Sequence, residues 1–126
     1  MKPMRRIGFV GYALLLFVAT HWPALTVPGP IPRTDLFVHL GAFGTWTLLL
    51  SLAGFFGPPL STRNLGLCWL FGLANCLIDE GLQSIPWVQR HCAWDDATAN
   101  MTGATAAMLV LLTIAIVRQR RSIPDS

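Results

Sequence analysis

Charge is what this sequence has least of. Lys, Arg, Asp and Glu make up 12% of its 126 residues, whereas 53% are hydrophobic and the mean hydropathy is +0.54. A soluble domain is about a quarter charged, so a fully solvated surface is excluded. Disorder is excluded too, because it needs low hydrophobicity and high charge. Cysteine is scarce and odd in number, three in all, which argues against a disulfide framework. No internal repeat and no soluble-domain stretch is visible. Nor do the apolar runs show the two-residue alternation of barrel strands.

What the sequence does have is four long apolar runs, at about 7–25, 36–56, 65–82 and 97–117. Each lies near the ~20 residues that a helix needs to cross a ~30 Å hydrocarbon core. The expected fold is all-α, a four-helix transmembrane bundle forming a single domain over 1–126. The first run follows Lys2, Arg5 and Arg6, which is also how a signal peptide begins. No small-x-small cleavage site follows it, and the remainder is polytopic. Prolines fill the gaps between runs: Pro23, Pro28, Pro30 and Pro32, then Gly57-Pro58-Pro59, then Pro86.

Basic residues set the expected orientation. Lys2, Arg5, Arg6, Arg63, Arg118, Arg120 and Arg121 fall on one side, Arg33 and Arg90 on the other. This bias predicts both termini in the cytoplasm and a multi-pass protein of the cell (inner, cytoplasmic) membrane. Trp22, Trp87 and Trp94 then sit at the outer boundary, where an interfacial aromatic belt belongs.

The acidic residues are segregated as well. Asp35, Asp79, Glu80, Asp95 and Asp96 map to the outer ends of the second, third and fourth spans, and only Asp125 falls on the inner side. His21, His39 and His91 share the outer side with Gln83, Arg90 and Asn100. His39 lies one turn inside its span with Asp35 at i−4, and Asn100 one turn inside the fourth with Asp96 at i−4. An ionised group in hydrocarbon is expensive, so these side chains are expected to face one another or a wet cavity. Singly, each has a plainer reading. Asp35 and Asp96 stand where helix N-caps belong, and His39 suits a satisfied interior position. Convergence of acid, base and amide from three helices is what these plainer readings leave unexplained. Ala99, Gly103 and Ala107, with Gly41 and Gly44, read as seams for close helix packing. Cys68 and Cys76 read as small apolar residues, and Cys92 as a loop thiol without an obvious partner.

Two segments resemble the VanZ-like family of small bacterial membrane proteins. Asp35-Leu-Phe-Val-His39 is similar to the family's Asp-Lys-x-x-His start of a transmembrane helix. Asp79-Glu80-Gly-Leu-Gln83, then Arg90, then Asp96-Ala-Thr-Ala-Asn100-Met-Thr-Gly103 resembles its Glu-x-x-Gln, Arg, Asp-x-x-x-Asn-x-x-Gly series. The likeness spans roughly 7–117, with Leu36 in place of the usual lysine and Phe43 where a tyrosine often stands. It implies an envelope-associated membrane protein; the family's namesake is linked to low-level teicoplanin tolerance.

Three functions are open to such a chain. The first is a non-enzymatic envelope role, in which Asp35, His39, Asp79, Glu80, Gln83, Arg90, Asp96, Asn100 and Gly103 form a structural cluster or bind a lipid headgroup, a lipid-linked envelope precursor or a partner. It needs the fewest assumptions. The second is an intramembrane enzyme acting on a lipid-linked substrate. Here His39 is the acid or base, Glu80 or Asp96 its partner, Arg90 the stabiliser of negative charge and Asn100 a hydrogen-bond donor. The third is a small transporter or proton relay, for which four spans are few and no inverted repeat is visible. No cofactor is implied. A metal site lacks a tight ligand motif, and the basic residues read as topology determinants rather than a nucleic-acid surface.

Overall fold

The computed structural model describes residues 2–23, 29, 33–88 and 93–121. Part of the proline-rich linker (24–28 and 30–32) and Arg90, His91, Cys92 and Asp125 lie outside the described residues. Four helices follow in order: α1 (Lys2–His21), α2 (Thr34–Ala53), α3 (Thr62–Gln83) and α4 (Trp94–Arg121), with a short 3-10 turn at Pro86–Val88 before α4. The described residues contain no strand. All four helices are long and apolar enough to cross a membrane.

The helices alternate in direction. Arg6, near the start of α1, donates to the Gly54 carbonyl at the end of α2 (3.3 Å). Thr20, near the end of α1, bonds Asp79 near the end of α3. Its largest contact is α2 against α4, which run parallel, and there the packing depends on glycine. A Cβ on Gly103 would land on the Leu40 carbonyl oxygen of α2, and one on Gly44 would sit 3.0 Å from the Gly103 oxygen. The expected small-residue seam thus narrows to this one crossing. Gly41 faces open space, and Ala99 and Ala107 are only half-buried.

Around the crossing the core is small: Phe43, Cys76 and Ala104, flanked by Leu16, Ala42 and Met101. Polar groups are as deeply buried as apolar ones, with Thr47, Ser51, Asn64, Gln83 and Asn100 at 0–1% exposure. Large apolar side chains such as Leu15, Phe37, Ile78 and Leu109 point outward. An apolar belt of this extent around a polar interior is the inverse of a water-soluble domain. α1 is the most loosely held helix, with Thr20 its only buried residue. It is tied to α2 by the Tyr12 hydroxyl, which donates to the Ala42 carbonyl (2.9 Å), and by an edge-to-face contact of Phe9 with Trp46.

Helix ends depart from the apolar runs by a few residues. α1 starts at Lys2 and α4 runs on to Arg121 because a helix continues through its charged ends, whereas apolarity marks only the part facing hydrocarbon. α2 stops at Ala53, three residues early, where Gly54 adopts φ 64° and its N–H turns back to the Ser51 carbonyl. The capping expected of Asp35 and Asp96 is not what the structure shows. Arg33, itself left-handed at φ 61°, occupies the N-cap of α2, and Asp35 follows within the first turn. α4 begins at Trp94, so Asp96 also lies inside the first turn, where its carboxylate still suits the positive end of the helix dipole.

Candidate functional site

The polar residues gather at the end of the bundle where α1 and α3 finish and α2 and α4 begin. Asn100 is the hinge of the main network. Its amide nitrogen donates to Glu80 Oε1 (3.2 Å), and its carbonyl oxygen lies 3.0 Å from His39 Nδ1. Glu80 also accepts from the Ala93 N–H at 3.4 Å. When ionised, Glu80 only accepts, and it then fixes which end of the Asn100 amide faces it. The opposite end then presents an oxygen to His39. That oxygen needs a donor, so His39 carries its proton on Nδ1. In the neutral ring Nε2 is therefore an unprotonated acceptor.

Nε2 faces Asp96 Oδ2 at 3.8 Å, within ion-pair reach but beyond a hydrogen bond. His39 and Asp96 are mostly enclosed, with 9% and 15% of their side chains exposed. A neutral His39 and an ionised Asp96 present two acceptors to each other. The gap is closed either by a proton, giving an imidazolium–carboxylate pair, or by a ligand group that donates to both.

A second network shares the same end. Asp79 accepts from the Thr20 hydroxyl (2.7 Å) on one oxygen and from the Gln83 amide (2.8 Å) on the other. His21 Nδ1 lies 3.8 Å from Asp79 and 2.9 Å from the Phe17 carbonyl. A carbonyl only accepts, so His21 too carries its proton on Nδ1. Its Nε2 is buried without a partner, as is Gln83 Oε1.

The cluster expected from sequence is thus two clusters. His39, Glu80, Asp96 and Asn100 come together, whereas Asp79 and Gln83 turn toward α1. Asp35 is half-buried and is not the partner of His39, and Gly103 serves the helix crossing. Arg90 lies outside the described residues. Arg33 spends its guanidinium on Asp95 at 2.9 Å; that hydrogen bond holds it above its ordinary pKa. Among the described residues no three His, Cys, Asp or Glu side chains converge as metal ligands do.

Two polar residues escaped the sequence reading. Thr20 looks like one more residue of an apolar run. Asn64 lies at the opposite end, where its amide donates to the Ser51 and Pro59 carbonyls and accepts from the Phe56 N–H, fastening the α2–α3 turn. Ser61, N-cap of α3 and three residues earlier, was the one available signal. Comparison with protein-family models, curated proteins and solved structures finds no match to this chain.

Proposed function

We propose that this chain is a four-span protein of a bacterial cytoplasmic membrane, with both termini in the cytoplasm, that binds the hydroxyl-bearing headgroup of a lipid or lipid-linked envelope precursor without transforming it. Four apolar helices and the seven-to-two division of Lys and Arg support the placement. So do Trp22, Trp87 and Trp94, exposed at the end opposite most of the basic residues. The likeness of the Asp79–Gln83 and Asp96–Gly103 segments to the VanZ-like family supports an envelope role.

One observation carries the binding reading: His39 Nε2 and Asp96 Oδ2 face each other across 3.8 Å at the least buried point of an otherwise internally bonded network. Two facing acceptors favour a donor-rich ligand, and sugar or glycerol hydroxyls supply donors while an unsubstituted phosphate ester supplies none at full ionisation. The same geometry favours a second reading, acid–base catalysis. Glu80 orients Asn100, Asn100 fixes the tautomer of His39, and Nε2 is then placed to take a proton from a substrate hydroxyl.

The test uses the full chain in nanodiscs, titrated with a polyprenyl-diphosphate disaccharide and with the polyprenyl phosphate lacking the sugar. The binding reading expects the sugar-bearing lipid to bind more tightly and Asp96→Asn to remove the difference. Equal binding of both lipids sinks it. Mass spectrometry of the same samples separates the two readings, because product formation that requires His39 establishes catalysis.

A further inference from the structure

The second network has a cleft beneath it. Between α1, α2 and α3 lies a half-open space of about 390 Å³, walled by Phe9, Ala13 and Phe17 of α1 and Trp46 of α2, with Asn75 and Asp79 of α3 as its polar groups. The volume falls within the range of small-ligand sites, about 300–1,000 Å³, and so does the pattern of an apolar wall with few polar groups. From Phe17 to Phe9 the wall runs about 12 Å along α1 at 1.5 Å per residue, away from Asp79 toward the middle of the bundle.

Asp79 and Asn75, one turn apart on α3, are the polar groups of the lining, a carboxylate beside an amide. Asp79 is a carboxylate whose two oxygens each hold one donor and keep further lone pairs. Asp79 is the charged group of the lining, and no Lys or Arg among the described residues pairs with it. The complement of a carboxylate with free lone pairs beside an amide oxygen is a compact cation with several N–H donors, which is a primary ammonium.

We propose that this cleft binds one aminophospholipid of the surrounding bilayer, its primary ammonium against Asp79 and Asn75 and one acyl chain along the wall of α1. The proposal depends on the membrane placement above but not on the headgroup reading for His39 and Asp96, which lie in the other network. A phosphatidylcholine headgroup carries the same charge with no N–H, so it leaves the acceptors unsatisfied.

The experiment is native mass spectrometry of the detergent-purified full chain with dioleoyl phosphatidylethanolamine, phosphatidylcholine or phosphatidylglycerol at equal concentration. One phosphatidylethanolamine is expected to be retained about tenfold better than either other lipid, equivalent to ~1.4 kcal/mol. Asp79→Asn is expected to reduce that ratio to about one, the tenfold difference being the charge-assisted bond. If Asp79→Asn does not fold, Ala13→Trp, which fills the cleft from a partly exposed position, is expected to remove the retained lipid. His39→Ala is expected to leave the preference intact. Equal retention of phosphatidylethanolamine and phosphatidylcholine overturns the proposal, as does a preference that survives Asp79→Asn or Ala13→Trp or disappears in His39→Ala. Displacement of the lipid by equimolar ethanolamine also overturns it, because the site would then belong to a free amine.

Discussion

Asp79 and Glu80 are adjacent in sequence, yet their carboxylates belong to different networks. Asp79 takes its donors from Thr20 of α1 and from Gln83, while Glu80 takes its donors from Asn100 of α4 and the Ala93 N–H. Successive positions on a helix differ by about 100°, so one dipeptide ties α3 to α1 on one side and to α4 on the other. Two neighbouring acids are tolerated within a buried helix end because each has its own set of donors.

That division predicts which substitutions couple. Glu80→Gln and Asn100→Ala act on one hydrogen bond and should show an interaction energy of ~0.6–1.7 kcal/mol, the range for interhelical bonds in membranes. Glu80→Gln and Thr20→Val act on different networks and should be additive within ~0.5 kcal/mol. Double-mutant cycles from denaturant titrations in mixed micelles measure both. Strong coupling between Thr20 and Glu80 would show that the networks are one.

The α2–α4 crossing makes a sharper demand. Any Cβ at position 103 meets the backbone of α2 at Leu40, and backbone cannot move aside as a flexible side chain can. Gly103→Val should separate the helices and destabilise the bundle by at least the ~1–3 kcal/mol typical of overpacking. Gly41→Val, on the same helix pair but facing open space, should be close to neutral. Thermal unfolding of the two variants, followed by size exclusion, compares them directly.

At the far end of the molecule, Asn64→Leu should lower stability by ~1–3 kcal/mol, since it leaves the buried Ser51 carbonyl and the Phe56 N–H without their side-chain partner. Asn64→Asp retains the acceptor for Phe56 but loses both donated bonds, so it should be no milder. Because this site is remote from the polar end, neither variant should alter lipid retention once folded. Melting temperature and native mass spectrometry provide the two readouts.

These residues also show where the sequence is informative. Helix number and type were legible, because ~20-residue apolar runs leave few alternatives. His39, Glu80, Asp96 and Asn100 were legible as a group because polar side chains at one depth in hydrocarbon must find each other. Depth does not fix azimuth, however. Gln83 shares their level but points with Asp79 toward α1. Thr20 was illegible because a hydroxyl is unremarkable in an apolar run until a carboxylate is found 2.7 Å away. Arg33 offered no sign of its left-handed backbone or its pairing with Asp95, since both depend on how α2 is placed beside α4.

The proposed orientation has a direct check. Reporter domains fused after residues 30, 60 and 90 and at the C-terminus (position 126) should read outside, inside, outside and inside. The expectation rests on the excess of Lys and Arg at one end of the bundle. A cytoplasmic signal from either position 30 or position 90 removes it, and with it the extracytoplasmic placement of His39 and Asp96.

The remaining prediction separates a working site from a scaffold. Asp96→Asn keeps the size of the side chain and removes its charge, and among the described residues no group bonds to that carboxylate at hydrogen-bond distance. It should therefore accumulate in the membrane and melt within ~1 kcal/mol of the parent chain, the worth of a carboxylate at the positive end of a helix dipole. Glu80→Gln is different. Glutamine offers one acceptor where Glu80 serves both Asn100 and the Ala93 N–H, so one donor faces an amide NH₂ and stability falls by ~1–3 kcal/mol. If the network were purely structural, loss of function would track loss of stability, and Glu80→Gln would be the more damaging change. If His39 and Asp96 form the working end, Asp96→Asn should lose the envelope phenotype, read as glycopeptide sensitivity or envelope stress, while stable protein remains in the membrane. An Asp96→Asn variant that is stable and fully functional would leave the His39–Asp96 gap without a role and return the whole network to holding helices together.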